Sequence, residues 1–192
     1  MDRLIYTSLG SITNQSAVRA QITNNLANVS TVGFKESFAL ASQSSDVEGE
    51  GFNSRSSVKM NMEDIIDLKP GVSNRTGRAM DIALQDKTVL GVQAQDGEIA
   101  FTRRGDLRVS PTGLIENAAG HLILGEAGPI NVPPGQMVTI SPDGAVFGSL
   151  PSEPETPPVR LGTLLLRDAS ETPLTRRTDG LFEPLNQELR GV

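Results

Sequence analysis

From about residue 3 to 30 the apolar positions recur at helical spacing. Ile5, Leu9 and Ile12 are separated by four and three, and Val18, Ile22, Leu26 and Val29 by four, four and three, which is the period of one helix face. The phase slips near Ser16, so the stripe is not one strict heptad seam. A second stripe is made of amides: Asn14, Gln21 and Asn28 lie seven apart, with Asn24 or Asn25 filling the turn between. Asparagine is a mediocre helix former because its side chain competes for backbone hydrogen bonds. An ordinary surface helix carries charges opposite its apolar face. Here Arg19 is the only charged side chain between Arg3 and Lys35.

Past the helix the pattern changes twice. Residues 36–57 ("ESFALASQSSDVEGEGFNSRSS") turn to Ser, Gly and acidic residues with little periodicity, the composition of a linker or extended loop. From about residue 58 the chain reads as β. "VKMNM" alternates, "KPGV" is a turn, and "VLGVQAQ" and "EIAFTRR" flank Asp96-Gly97, a strong hairpin dipeptide. Turns follow at "SPTG", "NAAG", "VPPG" and "SPDG", with "LRV", "LIE", "HLIL" and "MVTI" between them. "SLPSEPETPP" at 149–158 predicts an extended crossing or exposed loop, since proline cannot pair inside a sheet. "RLGTLLLRD" then predicts a buried strand, and Asp179-Gly180 a further turn. Runs punctuated this regularly indicate one antiparallel β domain. The expected fold is mainly β: a long N-terminal helix (1–32), an extended connecting region (33–70) and an antiparallel sandwich or barrel-like domain (71–192).

Composition narrows the chemistry. With 4% aromatics, no Trp and one Tyr, the core must be largely aliphatic. A net charge of -6 argues against a phosphate-backbone binder. No basic cluster suits an anionic membrane surface. Without cysteine there is neither a disulfide nor a thiolate nucleophile. The opening "MDRLIYTSLGSITNQ" lacks the uninterrupted apolar core of a conventional signal peptide, so export would need a route that keeps these residues. His121 is the only histidine. It stands in strand-like "GHLIL" and reads as a turn-adjacent strand residue, leaving a serine triad without a base and transition metals without ligands. Ser56-x-x-Lys59 has no companion motif, and Gly49-Glu-Gly51 neither follows a clear strand nor opens a helix, so neither carries catalysis or a phosphate site.

Two readings of the helix stay open on the residues alone. It covers one end of the β domain, or it is buried among several helices. Amides favour the second: each offers donor and acceptor, a satisfied pair contributes about 0.5–1.5 kcal/mol, and an unpaired buried one costs about 1–3 kcal/mol. That asymmetry rewards register, as a core Asn does in coiled coils.

"TNNLANVSTVGFK" (23–35) resembles the N-terminal signature of the bacterial flagellar axial proteins, the rod and hook family. The resemblance continues through "TGRAMDIALQ" (76–85), "FTRRGDLRVSPTGLI" (101–115), "GEAGPINVP" (125–133) and "VTISPDGAV" (138–146). With the opening "MDRLIYTSL" it points to the proximal rod members, the distal rod being the alternative. It implies a non-enzymatic subunit without cofactors, exported unfolded through the flagellar type III apparatus and assembled helically in the periplasm. Implied partners are like and unlike rod subunits, the export apparatus and the surrounding P and L rings, with no nucleic acid and no membrane insertion. By position it assigns assembly to Leu4, Ile5, Leu9, Ile12, Val18, Ile22, Asn24, Asn25, Leu26, Asn28 and Val29. Gly33 would turn the chain outward and Phe34 would anchor the exit.

Two departures qualify the resemblance. Thr88 and Val89 stand where relatives usually show Gly and an aromatic. The family's second terminal helix is expected to be absent from this chain, which stops at "NQELRGV". A contrasting reading is an extracellular glycan- or protein-binding β module, but few aromatics are available for such a face.

Overall fold

The computed structural model describes residues 2–39, 43–46, 56–59, 64–73, 75–153, 155–185 and 190–191. The "GEG" at 49–51, much of the 36–57 run and most of the closing "NQELRGV" lie outside the described residues. The chain divides into two units, Met1–Thr31 with Lys35–Asp67, and Val32–Phe34 with Leu68–Val192.

The first unit opens with α1 (Asp2–Ala27), the helix expected from the 3.6-residue spacing. Short strands follow in the region read as a connector: β1 (Ser37–Ala39), β2 (Gln43–Asp46), β3 (Ser56–Lys59) and β4 (Asp64–Ile66). β1 runs antiparallel to β4 with Ser37 opposite Ile66, and β2 antiparallel to β3 with Gln43 opposite Lys59.

The second unit is all β. Its first strands are β5 (Thr88–Gln93), β6 (Ile99–Thr102), β7 (Leu107–Val109), β8 (Ile115–Asn117), β9 (Leu122–Gly125) and β10 (Gly128–Pro129). After them come β11 (Met137–Ile140), β12 (Ala145–Ser149), β13 (Val159–Thr163), β14 (Leu166–Asp168), β15 (Leu174–Arg176), β16 (Phe182–Pro184) and β17 (Arg190–Gly191). The main sheet runs β15-β16-β6-β5-β9-β8-β7, and a second sheet β11-β12-β13. Neighbours are antiparallel, and the path is open rather than closed into a barrel. The turns fall where the sequence marks them: Gly97, Gly113, Gly120, Gly144 and Gly180 each donate a backbone N–H three residues back, to Ala94, Ser110, Asn117, Ser141 and Arg177. His121 stands beside its turn, where its backbone N–H and that of Ala119 donate to Oδ1 of buried Asn117.

β5 is the centre of this unit. Val89, Leu90 and Val92 are fully buried, so the strand reads as an unbroken apolar run rather than an alternation. It is flanked by β6 on one side and by β9 and then β14 on the other. At Gly91 an added Cβ would fall 2.4 Å from the Leu165 side chain, which would have to move to admit it. The run "RLGTLLLRD", expected as one strand, is two. β13 pairs with β12 and β14 with β5, and Leu164 and Leu165 cross between the sheets as buried side chains. The core is aliphatic, centred on Leu90, Val92, Ile115, Ile123, Val146 and Leu164.

Arginines complete what the ladders leave open. In the stretch before β5 the Gln85 and Lys87 carbonyls accept from the Thr88 and Ala169 backbone N–H groups, and Asp86 takes a positive φ of 44°. Arg103 serves that stretch: its guanidinium donates to the carbonyls of Leu84 (2.8 Å), Asp86 (2.8 Å) and Thr88 (2.7 Å). Burial pushes its pKa down from the ordinary arginine value. Arg177 joins two Asp-Gly turns. It pairs with Asp96, with Glu98 and Glu183 at 3.4 Å each, and with Asp179 at 3.3 Å.

Two outcomes follow for the second unit. Arg103→Ala leaves several carbonyls without a donor and is expected to cost about 2 kcal/mol, read as a lower urea midpoint with unchanged m-value. Asp96 is held below its usual carboxylate value, first by the Glu98 backbone N–H and then by Arg177, and Glu126 is held down by Arg167. A depressed folded pKa gives stability that is present above the unfolded value and is lost as pH falls through the folded one. Melting temperature should therefore fall as pH drops below about 4, with a shallower slope in Asp96→Asn and Glu126→Gln chains.

Candidate assembly interface

Three hydroxyls of α1 are bonded within the helix. The hydroxyls of Thr13, Ser16 and Thr23 donate to the carbonyls of Leu9, Ile12 and Arg19, each four residues back, at 2.8–2.9 Å. This internal bonding is open to Ser and Thr in helices, and it leaves those hydroxyls with little need of water. At the C-terminal end Asn28 donates from Nδ2 to the Asn24 carbonyl at 2.9 Å, and Thr31 N–H reaches the Asn28 carbonyl at 2.9 Å, tightening the last turn.

The two stripes of the helix have opposite fates. Asn14, Ala17, Gln21, Asn25 and Asn28 are half-buried, and their 3-4-4-3 spacing marks one face. The apolar residues next to them face outward: Leu9 is 58% exposed, Ile22 61%, Leu26 71% and Val29 73%, with Ile12 and Val18 exposed as well. A folded chain normally buries such a stripe and solvates its amides. In this unit the order is reversed.

The reason is Ser37 on β1. Asn25 Nδ2 donates to the Ser37 carbonyl at 3.2 Å, and Asn25 Oδ1 accepts from the Ser37 N–H at 3.4 Å. A carboxamide carries the same donor and acceptor as a peptide group, so Asn25 takes the place of a neighbouring strand. Gln21 Nε2 adds a bond to Ser37 Oγ at 3.4 Å, and Ser37 is only 5% exposed. The amide stripe thus binds the outgoing strand and turns the apolar stripe away.

Among the residues assigned to assembly, Leu4 and Ile5 lie in the helical backbone, and their side chains are outside the described residues. Leu9, Ile12, Val18, Ile22, Leu26 and Val29 share the exposed side, and Asn24 is exposed beside them. Asn25 and Asn28 lie on the half-buried side. Gly33 and Phe34 group instead with the β unit. Gly33 has the positive φ, 72°, that its place after the helix called for. Sequence reasoning missed Ser37, which sits unremarkably in a Ser-rich run and gains meaning only once the helix lies against it.

Among the described residues no group of His, Cys, Asp or Glu could hold a metal ion, and no helix is long and apolar enough to cross a membrane.

A family model described as the flagellar hook protein FlgE/F/G D1 domain matches residues 83–148, from the approach to β5 through β12. The chain is 38% identical over 185 residues to flagellar basal-body rod protein FlgF of Escherichia coli K12, covering 95% of this chain and 71% of that protein. The FlgF of Salmonella typhimurium matches with the same identity and coverage. Flagellar basal-body rod protein FlgG of Buchnera aphidicola subsp. Schizaphis graminum is 31% identical over 159 residues, covering 76% of this chain and 59% of that protein.

Removing the Asn25 carboxamide tests the local geometry. In an Asn25→Ala chain the Ser37 amide is expected to exchange its hydrogen about tenfold faster, equivalent to ~1.4 kcal/mol, while helical circular dichroism is retained.

Proposed function

The chain belongs to the flagellar rod and hook protein family, and from that premise we propose that it is a structural subunit of the basal-body rod. In this reading residues 1–32 are the assembly segment, and subunits stack in the periplasm into a shaft that carries torque from motor to hook. The observation that supports it is the exposed apolar stripe of α1, on a stretch whose one charge between Arg3 and Lys35 is Arg19. Hydroxyls already bonded within the helix lower the cost of taking that face out of water. Burying the exposed parts of Leu9, Ile12, Ile22, Leu26 and Val29 would contribute about 1–2 kcal/mol each, enough to drive association when several copies meet.

The occupant of that stripe is an equivalent helix from another copy or from a related axial subunit. The subunit acts by contact rather than catalysis, and it uses no cofactor. It reaches its place through the flagellar export apparatus with its N-terminus intact, and its β unit stands towards the P and L rings. The higher identity to FlgF than to FlgG favours the proximal rod. The distal rod is the second reading, carried by the 31% match to FlgG, and complementation of strains lacking one or the other separates them.

Charges placed on the exposed stripe test the interface. An Ile22→Asp, Leu26→Asp chain in the full-length gene should be exported, keep the melting of its β unit and fail to enter rods, leaving cells non-motile. Motile cells with that chain in their rods would reject the proposed face.

A further inference from the structure

Val32, Gly33 and Phe34 are flanked in sequence by residues of the first unit, yet the three group with the β unit. Two contacts hold them there. Gly33 lies directly on the backbone where β6 ends: a Cβ at this position would sit 2.6 Å from Arg104 N and Cα and 2.7 Å from the Arg103 carbonyl carbon. Its φ of 72° also disfavours any side chain. Phe34 is covered by the Arg176 guanidinium, whose Cζ stands 4.6 Å from the ring centroid, within cation–π range.

The surface they lie on is itself fixed. Arg103 is tied to the carbonyls before β5. Arg104 is bound to Asp106 by two parallel bonds of 2.7 and 2.9 Å, and its backbone N–H donates to Thr102 Oγ1 at 3.1 Å. Arg176 belongs to β15, where it stands opposite Phe182, and Phe182 in turn stands opposite Phe101 on β6. Strands β15, β16 and β6 are consecutive neighbours. One end of the tripeptide therefore rests beyond β6 and the other under a side chain two strands away.

We infer that Val32–Gly33–Phe34 is a seated anchor that passes load from the N-terminal helix into the β unit. A free connector would let torque dissipate in rotation about its φ and ψ bonds. Seating Gly33 and Phe34 removes those rotations where the chain lies on the β unit. Both contacts suit that task, since backbone against backbone yields no rotamer and a planar guanidinium on a ring resists lateral slip. The inference rests on the rod reading for the origin of the load, but the seating is a property of the single chain.

The test has two arms. In the isolated full chain, NMR order parameters of residues 32–34 should match rigid backbone, about 0.85, and fall below about 0.6 in Gly33→Ala and in Arg176→Gln. Those of β5 should stay unchanged. Phe34→Leu, which keeps apolar bulk and loses the ring, should give an intermediate loss. Values already below 0.6 in the unaltered chain, or unchanged in both Gly33→Ala and Arg176→Gln, overturn the anchor whatever the protein builds. In cells, Arg176→Gln chains that are exported and incorporated should swim normally in dilute medium and lose at least half their speed in viscous medium. Unimpaired swimming under load, with loosened residues 32–34, overturns the load-bearing role. Absence of the unaltered chain from rods would instead reject the rod reading and leave the order-parameter arm standing.

Discussion

A single carboxamide decides how the N-terminal helix presents itself. Asn25 offers one acceptor and one donor to the main chain of Ser37, the same pair of groups that a neighbouring peptide unit would offer. A buried strand residue cannot leave its N–H and C=O unpaired without a cost of about 1–3 kcal/mol each, so the amide face must lie on β1. The apolar stripe, sharing the same cylinder, then has to face away. Exposure of Leu26 and Val29 is the consequence of polar satisfaction within the unit.

The β unit shows the same economy in another form. Short strands and an open sheet leave their margins to side chains, and arginines bind there to carbonyls, to carboxylates and to a ring. Arg103 gathers the carbonyls of Leu84, Asp86 and Thr88 at the approach to β5. Arg177 ties together the turns at Asp96-Gly97 and Asp179-Gly180. Arg104 and Arg176 steady the surface on which Gly33 and Phe34 lie. Each of these arginines stands within or beside a strand end, where a long fixed-geometry donor can span a gap that a ladder cannot.

Some elements were plain from the sequence, and their physics is local. α1 follows from 3.6-residue spacing, and the hairpin of β5 and β6 follows from Asp96-Gly97 between two apolar runs. An aliphatic core follows from the scarcity of aromatics, and the buried set of Leu, Ile and Val agrees. The run 159–168 was legible as strand but not as two strands, because Leu164 and Leu165 look the same whether they extend one strand or cross between sheets. The amides were legible as a stripe meant for burial. Their use within the chain by Gln21 and Asn25 was not, since Ser37 is an ordinary serine until a helix lies beside it.

The sequence by itself determined which segments are helix and strand, where the turns fall, and which family the chain belongs to. These depend on residue spacing and on backbone angles that only certain residues accept. Tertiary structure alone decided which face of α1 is covered and which is left open, that the sheet stays open, and that Val32–Phe34 joins the β unit. Those outcomes depend on pairing between groups far apart in the chain, where each unmet hydrogen bond is weighed against apolar surface left in water. No local pattern carries that balance.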